Sequence, residues 1–281
     1  VRELDVEQVK ETVSDLCVQA NYHLPGDVLE VLQRAADEEE ESPVGREVLE
    51  LIIENAETAA DEKMPICQDT GSAVIFLDIG QDVHFVGGDL EEAINRGVAE
   101  GYERGYLRKS MTEDPFERDN TGDNTPAIIH TQIVPGDQVK IALAPKGGGA
   151  ENMSAARGLT PADGPDGVKD FVVDTVSSAG SNPCPPIVVG VGVGSTLEKA
   201  VLLAKKSLLR PLRQPHPREH IAELERQTLA AVNDLGIGPQ GLGGRTTALA
   251  VHIEPHSSHI ASLLAAVNIQ CHAARHAEAI L

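Results

Sequence analysis

Apolar residues keep a helical spacing at the start of this chain and then alternate between strand-like and helical spacing, and that change limits the fold more than any other feature. Over the first sixty residues they recur every three or four positions. Val6, Val9, Val13, Leu16 and Cys17 share one face, and the pattern returns across residues 44–56. A period of that length buries one stripe of a helix. After Met64 the apolar residues come in short runs, first at 73–77 between Gly71 and Gly80, as in a buried strand. Further strand patterns cover 127–134, 139–143, 187–193 and 248–254, with Pro135-Gly136-Asp137 as a turn between 134 and 139. Helical stretches lie between them. One opens near Asp89 and places Leu90, Ile94, Val98, Tyr102 and Tyr106 four apart, with Glu92/Arg96 and Glu100/Arg104 as supporting pairs. Another carries Val168, Phe171, Val172 and Val176, and a third opens on a capping box at Ser195-Thr196-Leu197-Glu198. Two more cover 218–235 and the stretch from Ala261 to the C-terminus, with Cys271 inside it. The run Asp37-Glu38-Glu39-Glu40-Glu41 is expected to be a solvated helix end. Strands interleaved with helices predict an α/β protein: β-sheets flanked by helices in a single large domain, 1–281, with a helical N-terminal region.

Charge removes one class of function. Asp and Glu number 44 against 23 Lys and Arg, a net charge of −21 at pH 7. A nucleic-acid binder needs a basic stripe for counterion release, and none is present. The acidic excess predicts a chain adapted to high salt, where self-repulsion is screened. No stretch of about 18 apolar residues predicts a membrane span, and the first residues lack a signal peptide's pattern, so a cytoplasmic location is expected.

Four cysteines are too few for a disulfide scaffold in a chain of this length. Cys17 falls in an apolar stripe. Cys67, Cys184 and Cys271 sit in polar or stiff surroundings, Ile66-Cys67-Gln68-Asp69-Thr70-Gly71, Pro183-Cys184-Pro185 and Gln270-Cys271-His272. Three thiolates suit an iron–sulfur cluster or zinc, and no C-x-x-C pair chooses between these and three unrelated thiols. Gly190, Gly192 and Gly194 precede a helix, but without the G-x-G-x-x-G spacing or a following acidic residue they do not support dinucleotide binding. Lys146-Gly147-Gly148-Gly149 offers bare N–H groups that suit a carboxylate, or else a plain flexible turn. His252, His256, His259, His272 and His276 form no HExxH zinc signature.

Taken together, several motifs in order resemble the class I, iron–sulfur fumarate hydratases and the related tartrate dehydratases, specifically their α subunit or N-terminal half. They are Pro65 through Gly71, Asp123-Asn124-Thr125-Pro126-Ala127, Lys146 through Asn152, Cys184-Pro185-Pro186 with the Val/Gly strand, Gly243-Gly244-Arg245-Thr246-Thr247, and His259 through Cys271. The resemblance spans nearly the whole chain.

It implies that Cys67, Cys184 and Cys271 hold a four-iron, four-sulfur cluster whose fourth iron is open to substrate as a Lewis acid. It implies a hydro-lyase that interconverts fumarate and (S)-malate, a reaction of the tricarboxylic acid cycle, with L-tartrate or mesaconate dehydration as the alternative. Arg108 would pair a substrate carboxylate, while Gln68, Asp69, Gly147, Gly148 and Gly149 would line the same pocket. Asp69 and His259 would be catalytic. The single-chain relatives carry a second half that supplies a proton-abstracting threonine and further Arg and Lys groups. The resemblance therefore implies a separate β subunit, in an α2β2 heterotetramer, and an α chain inactive by itself. An NAD(P)-dependent oxidoreductase on the Val/Gly strand and a zinc-stabilised scaffold subunit are the readings from other classes.

Overall fold

Each amphipathic stretch finds a sheet or a second helix to bury its apolar side. The computed structural model describes residues 1–281. Its elements run β1 (Arg2–Asp5), α1 (Val6–Tyr22), α2 (Gly26–Arg34), α3 (Pro43–Glu62), β2 (Ser72–Gly80), β3 (Val83–Val86), α4 (Leu90–Arg104), β4 (Ile128–Val134), β5 (Val139–Lys146), α5 (Gly148–Glu151), β6 (Ala155–Leu159), α6 (Gly164–Ala179), β7 (Ile187–Gly194), α7 (Leu197–Ser207), α8 (Glu219–Asn233), β8 (Ala248–His256), β9 (Leu263–Gln270) and β10 (Ala277–Ile280). The class is α/β, as the sequence predicts. The chain gathers into two compact units, Val1–Pro25 with Ala56–Gly148 and Arg275–Leu281, and Gly26–Asn55 with Gly149–Ala274. No helix is long and apolar enough to cross a membrane.

In the first unit Asp5 accepts the Glu7 N–H and caps α1. Val9, Val13, Leu16 and Cys17 of that helix are buried with Ile75, Leu77, Ile94, Val98 and Tyr102. Helices α1 and α4 meet at backbone distance: a Cβ on Gly101 would lie 2.7 Å from that of Cys17. The arginines of α4 pair across this seam and not along their own helix, Arg96 with Glu7 at 3.3 Å and Arg104 with Asp15 at 2.6 Å. The expected Glu92/Arg96 and Glu100/Arg104 pairs give way to them. Tyr106 lies beyond the end of α4 and is 89% exposed.

The sheet of this unit has the order β10-β5-β2-β4, with β2 parallel to β4 and antiparallel to β5. The turn at 135–137 is present, yet β4 and β5 do not pair. Residues 135–138 arch over the end of β2, where the Gly80, Gln81 and Asp82 N–H groups donate to the Gln138, Val134 and Gly136 carbonyls.

The second unit has a sheet of order β6-β9-β7-β8, in which β7 is parallel to β8 and antiparallel to β9. The alternation in β7 follows from its two faces. Ile187, Val189 and Val191 join Phe171 and Val176 of α6 and Ile221 and Val232 of α8 in the core. Gly190 and Gly192 face α7, where a Cβ would come within 2.0 Å of the Ala204 carbonyl oxygen and 1.9 Å of that of Ala200. These glycines make room for a helix, which accounts for their spacing without a nucleotide.

Three local expectations are corrected. The stretch from Ala261 is not helical: β9 pairs with β6 and β7, and β10 pairs with β5. Alanine-rich composition favours a helix, but a slot between two strands overrides that preference. His272 and His276 consequently share no helix face. The capping box of α7 does not form, because Thr196 Oγ1 bonds the Glu198 carboxylate at 2.5 Å and caps no backbone N–H. The acidic run is only partly solvated. Residues 35–39 form a π-helical turn, after which Glu40 is 1% exposed and accepts the N–H groups of Ser42, Arg245 and Thr246. Burial pushes its pKa upward, but those donors outweigh it and hold the carboxyl below the ordinary glutamate range.

Candidate active site

The loop from Cys67 to Gly71 is tied to widely separated parts of the first unit. The Ile66 N–H, just before it, donates to the Asn21 carbonyl at 2.9 Å. Cys67 Sγ receives the Asp69 N–H at 3.4 Å and faces Gln68 Oε1 at 3.4 Å. The two Asp69 carboxylate oxygens are each taken by a backbone donor, Gly71 N–H at 3.0 Å and Gly148 N–H at 2.9 Å. The approach is close, since a Cβ on Gly147 would lie 3.1 Å from Asp69 Oδ2. Gly71, at φ +70°, would place a Cβ 2.7 Å from the Lys146 backbone, so only glycine fits.

Behind the loop, Thr70 Oγ1 donates to the Arg108 carbonyl at 2.9 Å, and Tyr102 OH lies 2.8 Å from both the Thr70 and Gly71 carbonyls. Burial raises the Tyr102 pKa, so the phenol stays protonated and donates. Asn124, fully buried at φ +66°, donates to the Gly71 carbonyl at 3.2 Å and accepts the Ser110 N–H at 2.7 Å. Gln68, Arg108 and Gly148 of this unit are exposed, and the Arg108 guanidinium forms no ion pair. The structure thus brings Cys67, Gln68, Asp69, Gly147 and Gly148 together and ties the backbone of Arg108 to them.

Arg275 is a feature that sequence reasoning missed. It is 3% exposed, has no salt-bridge partner, and donates through Nη2 to the Asp69 carbonyl, while its Nε and Nη1 have no hydrogen-bond partner. Tyr102 was legible only as a core residue of α4. Its hydroxyl on an otherwise apolar stripe was the available signal, because a buried phenol needs a partner. Nothing in the sequence marks Arg275 beyond its place four residues after Cys271.

In the second unit, Cys184 is exposed at φ +53°, and its carbonyl accepts the His272 N–H at 3.2 Å, so the segments carrying Cys184 and Cys271 are joined. Gln240 binds the same corner through the Pro185 carbonyl at 2.8 Å. His259 lies in the exposed 257–262 loop, and its Nδ1 accepts the Ala261 N–H at 3.1 Å. Cys17 is wholly buried, which raises its pKa, and it belongs to the core. No set of three or more His, Cys, Asp or Glu side chains is gathered into a group that could hold a metal ion. In donor chemistry Cys67, Cys184 and Cys271 fit an iron–sulfur cluster: none is in a disulfide, all three are at least partly accessible, and Cys67 Sγ takes a backbone N–H.

The first unit thus holds an anchored thiol–amide–carboxylate loop beside a glycine turn, and the guanidinium fork of the exposed Arg108 is of a kind that suits a carboxylate. Residues 10–280 match the family described as fumarate hydratase (Fumerase), and the chain belongs to that family of hydro-lyases. It is 41% identical over 276 residues to a putative L(+)-tartrate dehydratase subunit alpha of Methanocaldococcus jannaschii, covering 96% of each chain. It is 33% identical over 274 residues to the L(+)-tartrate dehydratase subunit alpha of Escherichia coli K12, covering 96% of this chain and 89% of that one. The same figures hold for the protein of that name from Shigella boydii.

Proposed function

We propose that this chain is the α subunit of a dehydratase that removes water from a 2-hydroxy dicarboxylate, with L(+)-tartrate as the substrate. The resemblance read from the sequence puts fumarate and (S)-malate first. The names of the near-full-length relatives support tartrate instead, while mesaconate has no such support. The observation that carries the reading is the Asp69 loop, in which a thiol, an amide and a carboxylate follow one another and backbone donors fix the carboxylate.

Cys67, Cys184 and Cys271 would hold a four-iron, four-sulfur cluster. When bound, it supplies a Lewis acid that makes the substrate hydroxyl a better leaving group. Arg108 binds one substrate carboxylate through its two-pronged guanidinium, and the exposed Gly148 and Gly149 backbone with Gln68 orients the other. Asp69, whose oxygens are held by the Gly71 and Gly148 N–H groups, acts as a proton carrier. His259, on the exposed 257–262 loop of the second unit, orients substrate or shuttles a proton. A separate β subunit completes the site in an α2β2 assembly in the cytoplasm.

The test is anaerobic reconstitution of the chain with its β partner and measurement of kcat/KM for L(+)-tartrate, as oxaloacetate formed, and for (S)-malate, as fumarate formed. A higher value for tartrate supports the proposal. A higher value for malate restores the fumarate reading, and no turnover of either removes both.

A further inference from the structure

A second cavity lies in the second unit among α2, the 212–215 loop, α8 and β8, with a volume of about 320 Å³. None of its lining residues belongs to the candidate active site. Val31, Leu229, Leu249 and Val251 form an apolar part of its wall. Its size is at the small end of ligand-binding clefts.

Three arginines line it, in a chain whose net charge is −21. Arg34 pairs with Glu39 at 2.8 Å, Arg213 with Glu30 at 3.3 Å, and Arg226 with Glu219 at 2.8 Å and Glu223 at 2.5 Å. Every one of these pairs is at the surface, with each arginine side chain about half exposed or more. Solvent-exposed pairs of this kind are weak, so an oxyanion can take the guanidinium forks from them. Below, Arg210 is committed to Glu225 and Glu254, and Glu225 also accepts the Ile253 and His216 N–H groups. The acidic group at the cavity is therefore occupied.

His252 supplies the polar wall, and it is 2% exposed. Its Nδ1 lies 3.0 Å from the Ser207 carbonyl oxygen, which can only accept, so Nδ1 carries the hydrogen. Burial and the charge of Arg210 push its pKa down to about 4, against the Ser207 carbonyl, the charge of Glu225 and the Leu212 carbonyl, and the ring is neutral at pH 7. Nε2 is then a bare lone pair, and it has no hydrogen-bond partner. What this wall lacks is a donor.

We infer that the cavity is a binding site for a small organic oxyanion carrying a hydroxyl group. The oxyanion engages Arg34, Arg213 and Arg226, the hydroxyl donates to His252 Nε2, and a short carbon skeleton lies against the apolar walls. The anion is a carboxylate or a phosphate, since the arginine fork accepts either.

Calorimetric titration of the full chain with 3-hydroxybutyrate, and separately with glycerol 3-phosphate, distinguishes these two sources. Saturable one-to-one binding of either supports the site and names its anion. Butyrate, which lacks the hydroxyl, and 1,3-butanediol, which lacks the charge, are each expected to bind at least about tenfold more weakly, the usual worth of one charge-assisted or buried hydrogen bond. Arg213→Gln, on an exposed side chain, should weaken binding about tenfold with the melting temperature unchanged, and His252→Phe should abolish the preference for the hydroxyl. Arg108→Ala should bind as wild type. No saturable binding of either oxyanion, equal binding of butyrate, wild-type affinity in Arg213→Gln, or loss of binding in Arg108→Ala would each overturn the inference.

Discussion

Replacing Glu40 by Gln isolates one carboxylate, two of whose three backbone donors lie far away in sequence. Oε1 accepts the Ser42 N–H at 2.9 Å and the Arg245 N–H at 3.0 Å, while Oε2 accepts the Thr246 N–H at 2.8 Å. Glutamine has one oxygen and one NH2. Its better rotamer keeps the oxygen on the side of two donors and turns the NH2 toward the Thr246 N–H. Thr246 is 4% exposed, so that donor is stranded away from water. A buried unsatisfied N–H costs about 1–3 kcal/mol, and the two surviving bonds lose their ionic character, so the loss should be about 2–4 kcal/mol. Urea unfolding at pH 7 reads it directly. The pH dependence supplies a second check with a definite sign. Glu40 has a lowered pKa in the folded chain, so its stabilisation is complete above the ordinary glutamate value of about 4.3 and is lost as pH falls through the folded value. The gap between wild type and Glu40→Gln should therefore narrow in acid. A loss under about 0.5 kcal/mol at pH 7, or a gap that widens on acidification, would refute the reasoning.

Gly192→Ala drives a methyl group against the Ala200 carbonyl of α7 and should destabilise the chain by about 1–3 kcal/mol, seen as a lower urea midpoint; an unchanged midpoint contradicts the described packing. With iodoacetamide at mildly alkaline pH, mass spectrometry of the folded chain should find label on Cys67, Cys184 and Cys271, with Cys17 reacting only after denaturation. Early labelling of Cys17 would be inconsistent with its burial. Asp69→Asn removes the charge and turns an NH2 toward either the Gly71 or the Gly148 N–H, so it should lower kcat/KM of the reconstituted enzyme by about a hundredfold and also lower the melting temperature. Unchanged kinetics would take Asp69 out of the catalytic set.

The loop from Cys67 to Gly71 was legible because its residues are consecutive, and the α/β class because helices and strands write different periods into the chain. What stayed hidden depends on partners distant in sequence. Arg275 reaches the Asp69 carbonyl across 206 positions, Glu40 reaches Thr246 across the same number, and Tyr102 reaches Gly71 across 31. No local pattern encodes such pairings. The strand at Leu263–Gln270 shows the same limit for backbone structure, since its alanines are helical by preference and only the open slot between β6 and β7 makes it a strand. Gly190 and Gly192 were visible as glycines in a strand, but the reason for them is a helix whose position the spacing does not state.

The chain passes from one unit to the other after residues 25, 55, 148 and 274, so neither unit is a continuous piece of sequence. The stretch 149–274 without 26–55 would lack Glu40 and leave the Arg245 and Thr246 N–H groups without their acceptor. The consequence reaches heredity. A single crossover between two related genes cannot swap one unit for its counterpart, because at least one unit would inherit segments from both parents. The two units are thus bound to one lineage, and exchange between relatives is expected to succeed only for the whole chain.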